Sequence, residues 1–200
     1  MPKPRRKQQT NSVRIIGGEF RGRRLAFVDS EGLRPSTDRN RETLFNWLQS
    51  YVAGANCLDL FAGSGALGFE CISRGAANVT FVDQEKSVCR QLKENLSLLK
   101  VDTASIHCGS ALSFLAQYKG SGFDLVFLDP PFHRDLLQDV CLQLAKSAIL
   151  LPSAHIYLEA EYSLEQLVLP DNWQLIRNKR AGAVNYGLAI ADQGFGVTNR

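Results

Sequence analysis

The 200-residue chain predicts an α/β fold: a mostly parallel seven-stranded sheet with an antiparallel C-terminal edge, preceded by a small N-terminal β-hairpin. Three observations carry that prediction. From residue 56 onward, short apolar runs alternate with stretches of helical length, the pattern of βαβ units and of a parallel sheet covered on both faces. The last two strand-like runs are joined only through Ala181-Gly182-Ala183, and so short a link permits only an antiparallel pair. Near the N-terminus, two short apolar runs flank Gly17-Gly18 and Gly22, as in a hairpin.

Residues 1–11 are polar and basic, hold two prolines, and show no periodicity, so they are expected to be disordered. Val13–Ile16 and Arg23–Val28 supply the hairpin strands. A loop from Asp29 to Thr37 contains Arg34-Pro35-Ser36-Thr37, and Ser36 or Thr37 can cap a helix reaching about Tyr51. In that helix Leu44, Trp47, Leu48 and Tyr51 share one face and should meet the core. Strands are expected at Cys57–Phe61, Val79–Val82, Ser105–His107 and Phe123–Leu128, with helices near 66–74, 85–99, 110–118 and 134–148. His155–Glu159, Trp173–Arg180 and Tyr186–Ala191 complete the seven strands. The expected organisation is a basic tail at 1–11, a hairpin-and-helix extension at 12–52, the main domain at 53–192 and a flexible tail at 193–200.

Composition narrows the function. Residues 1–41 hold eleven Lys/Arg against four Asp/Glu, whereas the rest of the chain holds twelve against sixteen. A basic head on a mildly acidic body is an electrostatic handle for a polyanion. Five scattered cysteines without a C-x-x-C pair read as reduced core residues, and three isolated histidines offer no metal-ligand spacing. No metal is expected. No apolar run is long enough to span a membrane, and the basic N-terminus lacks the apolar segment of a signal peptide. A cytoplasmic monomer is expected.

Leu58-Asp59-Leu60-Phe61-Ala62-Gly63-Ser64-Gly65-Ala66-Leu67-Gly68 runs from a strand through a glycine turn into a helix. Asp83 ends the next strand, twenty residues after Gly63, where a carboxylate can accept both hydrogen bonds of a ribose diol. Gly63-x-Gly65-x-x-Gly68 formally matches the dinucleotide fingerprint, so a dehydrogenase has to be weighed. Asp59 stands against it: a carboxylate before the glycines repels a pyrophosphate and welcomes a cation. Asp59, Phe61, Gly63 and Gly65 therefore favour S-adenosylmethionine over NAD. At the end of the third strand, Ser110 and the Ala111 amide are placed to bond an adenine edge.

Asp129-Pro130-Pro131-Phe132 follows the fourth strand. Each proline fixes φ and lacks an N–H, so neither strand nor helix continues through the pair. Beyond the carboxyl end of a parallel strand, this rigid turn joins the crevice that the cofactor motifs form. Asp129 and the Pro130 carbonyl can accept hydrogen bonds from a planar amine, and Phe132 can stack on its ring. Such an amine donates its lone pair into the ring, so aiming that pair at a methyl donor is the chemical problem to be solved.

These motifs resemble those of class I S-adenosylmethionine-dependent methyltransferases, with their Rossmann-like sheet. Asp-Pro-Pro-Phe is similar to the (Asn/Asp)-Pro-Pro-(Tyr/Phe) motif of enzymes that methylate amino groups of bases or of glutamine. Val13-Arg14-Ile15-Ile16-Gly17-Gly18, Arg21-Gly22-Arg23, Leu33-Arg34-Pro35-Ser36-Thr37-Asp38-Arg39 and Arg41-Glu42-Thr43-Leu44-Phe45-Asn46-Trp47-Leu48 look like the RsmD family, the bacterial 16S ribosomal RNA (guanine(966)-N2)-methyltransferases. The resemblance covers roughly residues 13–190. It implies that Asp59, Gly63 and Gly65 hold the methionine part of the cofactor and Asp83 its ribose, with Arg34 and Thr37 in a loop beside it. It also implies that Asp129 to Phe132 bind the guanine amine. Ser110 departs from the acidic residue often found there. Lys179 to Tyr186 resemble the family's C-terminal strand motif, without its usual second aromatic after Leu188.

The implied partner is 16S ribosomal RNA in an assembled or assembling small subunit. Its guanine must be unpaired or flipped out, at a cost of a few kcal/mol. Basic side chains on phosphates offset that cost and make binding fall with salt. Arg14, Arg21, Arg23, Arg24, Arg39 and Arg41 are the candidates. A DNA adenine methyltransferase would need a larger target-recognition region, a glutamine methyltransferase usually has Asn in place of Asp129, and a non-catalytic RNA-binding module leaves Asp129 to Phe132 unexplained.

Overall fold

A computed structural model of the chain describes residues 11–28, 38–131 and 136–192. Strands β1 (Asn11–Arg14) and β2 (Arg24–Phe27) form the antiparallel hairpin, so Asn11, expected in the tail, already belongs to it. Helix α1 (Asp38–Trp47) leads to β3 (Asn56–Asp59), α2 (Ala66–Ser73), β4 (Asn78–Asp83), α3 (Lys86–Leu99), β5 (Ala104–Cys108), α4 (Ala111–Gln117), β6 (Phe123–Leu128) and α5 (Leu136–Lys146). The long β7 (Leu150–Ala160), a 3-10 turn at Leu164–Gln166, β8 (Trp173–Ala181) and β9 (Val184–Ala191) complete the chain.

The seven strands run in the order β5-β4-β3-β6-β7-β9-β8. All pairs from β5 to β7 are parallel; β9 is antiparallel to both β7 and β8. Chain progress reverses direction at β3, with β4 on one side and β6 on the other, which makes the gap between β3 and β6 the switch point where ligands of such sheets bind. Alternate side chains build two cores. Cys57, Phe81, Leu125, Phe127 and Tyr157 face the side covered by α1, α2, α3 and the hairpin. Leu58, Val82, Val126, Leu128 and Leu158 face α4 and α5. Burial on both faces is why Phe123–Leu128 reads as one apolar run.

Two expectations need correcting. The first helix stops at Trp47 rather than Tyr51; the chain turns there, and Gly54 supplies a φ of +78° before β3. Tyr51 is consequently 47% exposed, with its ring 3.9 Å from that of His155, while the buried anchor is Phe45. Strand β7 begins at Leu150, not His155, because its pairing with β6 shifts between Phe123 and Leu125 and Ser153 bulges out at φ +61°.

The hairpin is fastened to α2 through polar groups. Phe20 N–H donates to Ser73 Oγ at 2.9 Å, Glu19 N–H to the Ser73 carbonyl at 2.7 Å, and Ile16 N–H to Glu70 Oε1. Gly18 is required: its φ is +72°, and a Cβ there would lie 1.8 Å from the Ser73 carbonyl oxygen. Glu70 is fully buried, with Arg41 at 3.5 Å and Arg74 at 3.2 Å, and Arg41 also reaches Asp38 at 2.6 Å. Removing one partner from such a buried pair leaves an uncompensated charge and costs about 3–5 kcal/mol. Glu70→Ala should therefore lower unfolding free energy by about 3 kcal/mol in denaturant titrations. Amide exchange at Ile16 and Phe20 should accelerate ahead of the main sheet; exchange there that stays at the wild-type rate refutes this account of the anchor.

Candidate active site

Three acids line one face of the sheet where β3, β6 and β7 end. Pairing sets Asp59 level with Phe127 and Tyr157, and Leu128 level with Leu158. Asp129 and Glu159 are thus neighbours one step beyond, with Tyr186 of β9 next in the row. Asp59 is 2% exposed and Glu159 4%; Asp129 is half-buried as a residue, with its carboxyl enclosed. Tyr157 O–H donates to Glu159 Oε2 at 2.6 Å.

Burial governs the charge of this row. The Asp59 carboxyl is pushed up to about 7, by burial above all; the Gly68 N–H opposes the shift and the Asp83 charge adds to it. Asp129 is raised well above the ordinary carboxylate range by burial, then by Glu159 and Asp59. A cation arriving at this face would find three carboxyls whose ionisation it favours.

The glycine turn lies beside Asp59. Gly63 and Gly65 take φ of +49° and +75°, and Gly65 caps α2. Gly68 N–H donates to Asp59 Oδ2 at 3.0 Å, which fixes the carboxyl at the helix start. Gly68 itself packs against β4: a Cβ would lie 2.2 Å from the Phe81 ring. Asp83 Oδ2 accepts from Gly63 N–H at 2.9 Å and Oδ1 from Glu85 N–H at 2.8 Å, and burial raises its carboxyl. Each oxygen keeps a lone pair for a diol. Phe61 is half-buried between these groups in sequence. These donors and acceptors fit the cationic, ribose-bearing cofactor expected from the sequence.

Ser110 caps α4, accepting from Ser113 N–H at 3.2 Å. Its oxygen is partly committed to that cap, so the adenine contact expected of it rests on its hydroxyl proton and remaining lone pair. The neighbouring Ala111 amide lies in the first turn, which has no acceptor within the helix. Pro130 is buried and Pro131 half-buried. Phe132, Arg34 and Thr37 lie outside the described residues.

The arginines separate into two groups. Arg21, Arg23 and Arg24 on the hairpin and Arg39 on α1 are exposed. Arg14 is exposed but bonded to Asp38 at 2.7 Å. Arg41 corrects the sequence expectation: it is 1% exposed and committed to Asp38 and Glu70, so it holds the extension together instead of meeting a phosphate. Among the described residues no group of His, Cys, Asp and Glu could hold a metal ion, and no helix is long and apolar enough to cross a membrane.

Sequence reasoning missed Tyr157 and Glu159 as neighbours of Asp129, and Tyr186 as the residue beyond them. Tyr157 and Glu159 stand two apart, on one face at the carboxyl end of a parallel strand, and that spacing was the available signal.

Asp59 makes stability depend on pH. Its folded value lies above the ordinary 3.8, so the native state holds a proton that the unfolded chain releases. The stability this contributes is complete below the ordinary value and is lost as pH rises through about 7, an effect of about 4 kcal/mol. The free protein should unfold at lower denaturant at pH 8 than at pH 5, and Asp59→Asn should narrow that gap. Equal pH dependence in the two proteins would rule out Asp59 as the source.

Residues 13–190 match the family described as conserved hypothetical protein 95, the RsmD family. The ribosomal RNA small subunit methyltransferase D of Escherichia coli strain K12 is 49% identical over 179 residues, 90% of each chain. Its namesake from Haemophilus influenzae is also 49% identical, over 88% of this chain and 92% of its own. The solved structure of a putative methyltransferase from Escherichia coli superposes with a TM-score of 0.85 at 47% identity, covering 91% of this chain and 99% of the other. A putative methyltransferase solved in complex with SAH shares the fold, with a TM-score of 0.70 at 13% identity, over 93% of this chain and 57% of the other. With residues 13–190 matched by the family model and a relative 49% identical over 90% of the chain, the chain belongs to the RsmD family of methyltransferases.

Proposed function

We propose that this protein transfers a methyl group from S-adenosyl-L-methionine to the exocyclic N2 amine of one guanine, guanine 966, of 16S ribosomal RNA. Its substrate is the assembled or assembling small ribosomal subunit, on which it acts as a monomer in the cytoplasm. One observation carries the reading: Asp59 ends β3 and Asp129 directly follows β6, the two strands that flank the switch point, so a cation held by one lies beside an amine held by the other. Family membership supports ribosomal RNA as the bearer of that amine.

When bound, S-adenosylmethionine supplies a methyl group on a positively charged sulfur. Asp59 provides the counter-charge, the Gly63–Gly65 turn lets the ligand approach the main chain, and Asp83 accepts the ribose hydroxyls. The Ala111 amide and Ser110 meet the adenine edge. Asp129 and the Pro130 carbonyl accept hydrogen bonds from the N2 amine. Held so, its nitrogen turns from planar toward tetrahedral and its lone pair points along the line of transfer. Positioning of this kind contributes about 7–11 kcal/mol to lowering a barrier. The N2 proton leaves after the new bond forms, with Asp129 as its acceptor.

Arg21, Arg23, Arg24 and Arg39 present a cationic surface on the extension, suited to backbone phosphates near a flipped guanine. A protein amide substrate gives these arginines no task, and an adenine would leave them equally useful; the choice of guanine rests on the family.

The decisive measurement incubates the protein and labelled S-adenosylmethionine with small subunits from cells lacking this gene. Label in N2-methylguanosine at a single position is the expected product; label confined to adenine, DNA or protein overturns the reading. Asp129→Ala should abolish transfer while leaving cofactor affinity, measured by calorimetry, within a fewfold of wild type. Replacing Arg21, Arg23, Arg24 and Arg39 by alanine should weaken binding to subunits and make the plot of log affinity against log salt shallower by about 3 units. An unchanged salt slope would place the RNA elsewhere on the surface.

A further inference from the structure

The row of acids contains a member that positioning of the amine does not use. Glu159 is 4% exposed, and a buried carboxylate costs several kcal/mol unless something favours its charge. It sits beside Asp129 on the adjacent strand, one step past the Leu128–Leu158 pair. Tyr157, two residues back on the same face, donates its hydroxyl proton to Glu159 at 2.6 Å. Tyr157 is itself packed between Phe127 and Tyr186, at ring distances of 6.2 and 6.3 Å, so the donor cannot swing away without opening the core. Glu159 is thus held in one orientation beside Asp129.

We propose that Glu159 is a positioning residue for methyl transfer: fixed by Tyr157 beside Asp129, it shares a proton with Asp129 and keeps that carboxyl basic enough to take the proton that the amine loses. The inference rests on the methyl-transfer reading and extends it. As the N2–CH3 bond forms and the S–CH3 bond breaks, the electron pair of the broken bond stays on sulfur and the nitrogen becomes positive. One N–H proton then passes to Asp129, and its bonding pair returns to the nitrogen. The Asp129–Glu159 pair now carries the proton between two oxygens, and water that enters the crevice as the product leaves takes it away.

Neighbouring carboxyls in a dry site cannot both ionise freely, so the proton affinity belongs to the pair. Asp129 is raised by burial, then by Glu159 and Asp59. The groups that face it are Asp59 from β3 and Tyr157 and Glu159 from β7, with Tyr186 of β9 beyond Glu159. Tyr157 is raised well above its ordinary range, by burial and then by the charges of Glu159 and Asp129, which keeps it protonated and donating.

Glu159→Gln removes the charge and preserves both the shape and an acceptor for Tyr157. The carboxyl carbon of Asp129, followed by NMR in the free protein, should then titrate about one pH unit lower. The acid limb of kcat with small subunits should move by the same amount, with KM for subunits and cofactor affinity within twofold. Glu159→Asp should restore part of the shift, and Tyr157→Phe should move both readouts in the same direction by less. An Asp129 titration that stays in place overturns the proposal. So does a uniform loss of activity at every pH accompanied by a lower melting temperature. The titration is read without substrate, so absence of guanine methylation would refute the functional reading and leave the coupling between Glu159 and Asp129 standing.

Discussion

Asp59 is the interaction on which the rest of the site depends. A carboxyl at 2% exposure, at the end of a strand hydrogen-bonded on both sides, has one backbone N–H to favour its charge, from Gly68. That is too little to offset burial, and its raised proton affinity is the result. A core of this size could have placed an apolar residue there and gained stability. The carboxyl is instead held rigidly in a position where a proton or a cation relieves it. Binding of a cation there and ionisation of Asp59 would therefore be one coupled equilibrium.

The hairpin anchor answers the same problem in the opposite way. Glu70 is buried as deeply as Asp59, but two guanidinium groups and a backbone N–H surround it. Its charge is satisfied within the fold and awaits no ligand. Both acids act on α2: Asp59 grips its first turn through Gly68, and Glu70 sits on it near the other end, with Ser73. One short, fully buried helix thus joins the glycine turn to the arginine-bearing extension, and places exposed Arg21, Arg23 and Arg24 on a rigid support. If that surface grips phosphates as proposed, its rigid link to the crevice preserves the geometry that positioning requires.

Most of this architecture was legible from period and punctuation. Phe123–Leu128 reads as a strand because both its faces are buried, and Asp129 follows because two prolines stop the strand there. Gly182, at φ +64°, marks the antiparallel edge. Other features depend on tertiary partners that no local pattern encodes. Arg41 looked like one more basic residue in a cationic head; only the packing of α1 on α2 sets it against Glu70. Tyr51 continued the apolar spacing of α1, but the helix ended first. Glu159 closed an ordinary strand run, and its meaning comes from pairing with β6, whose register is shifted by the bulge at Ser153. Helix and strand periods reveal which face a residue shares; they do not reveal which charged group lies across that face.

The order of the acids along the crevice matches the path that positive charge takes in the proposed reaction. The charge starts on sulfur, near Asp59. It moves with the methyl group to the amine nitrogen, near Asp129, and leaves as a proton shared with Glu159. Carboxyls that are already fixed need no reorganisation as that charge moves, which is the main electrostatic economy open to an enzyme. On that reading, a carboxyl that favours a positively charged sulfur before transfer would favour the uncharged sulfur less afterwards. Substrate and product differ at sulfur by one charge, and a buried acid raised by burial is the group most sensitive to that difference. In the proposed reaction, the raised carboxyl of Asp59 would thus favour the charged donor over its uncharged product.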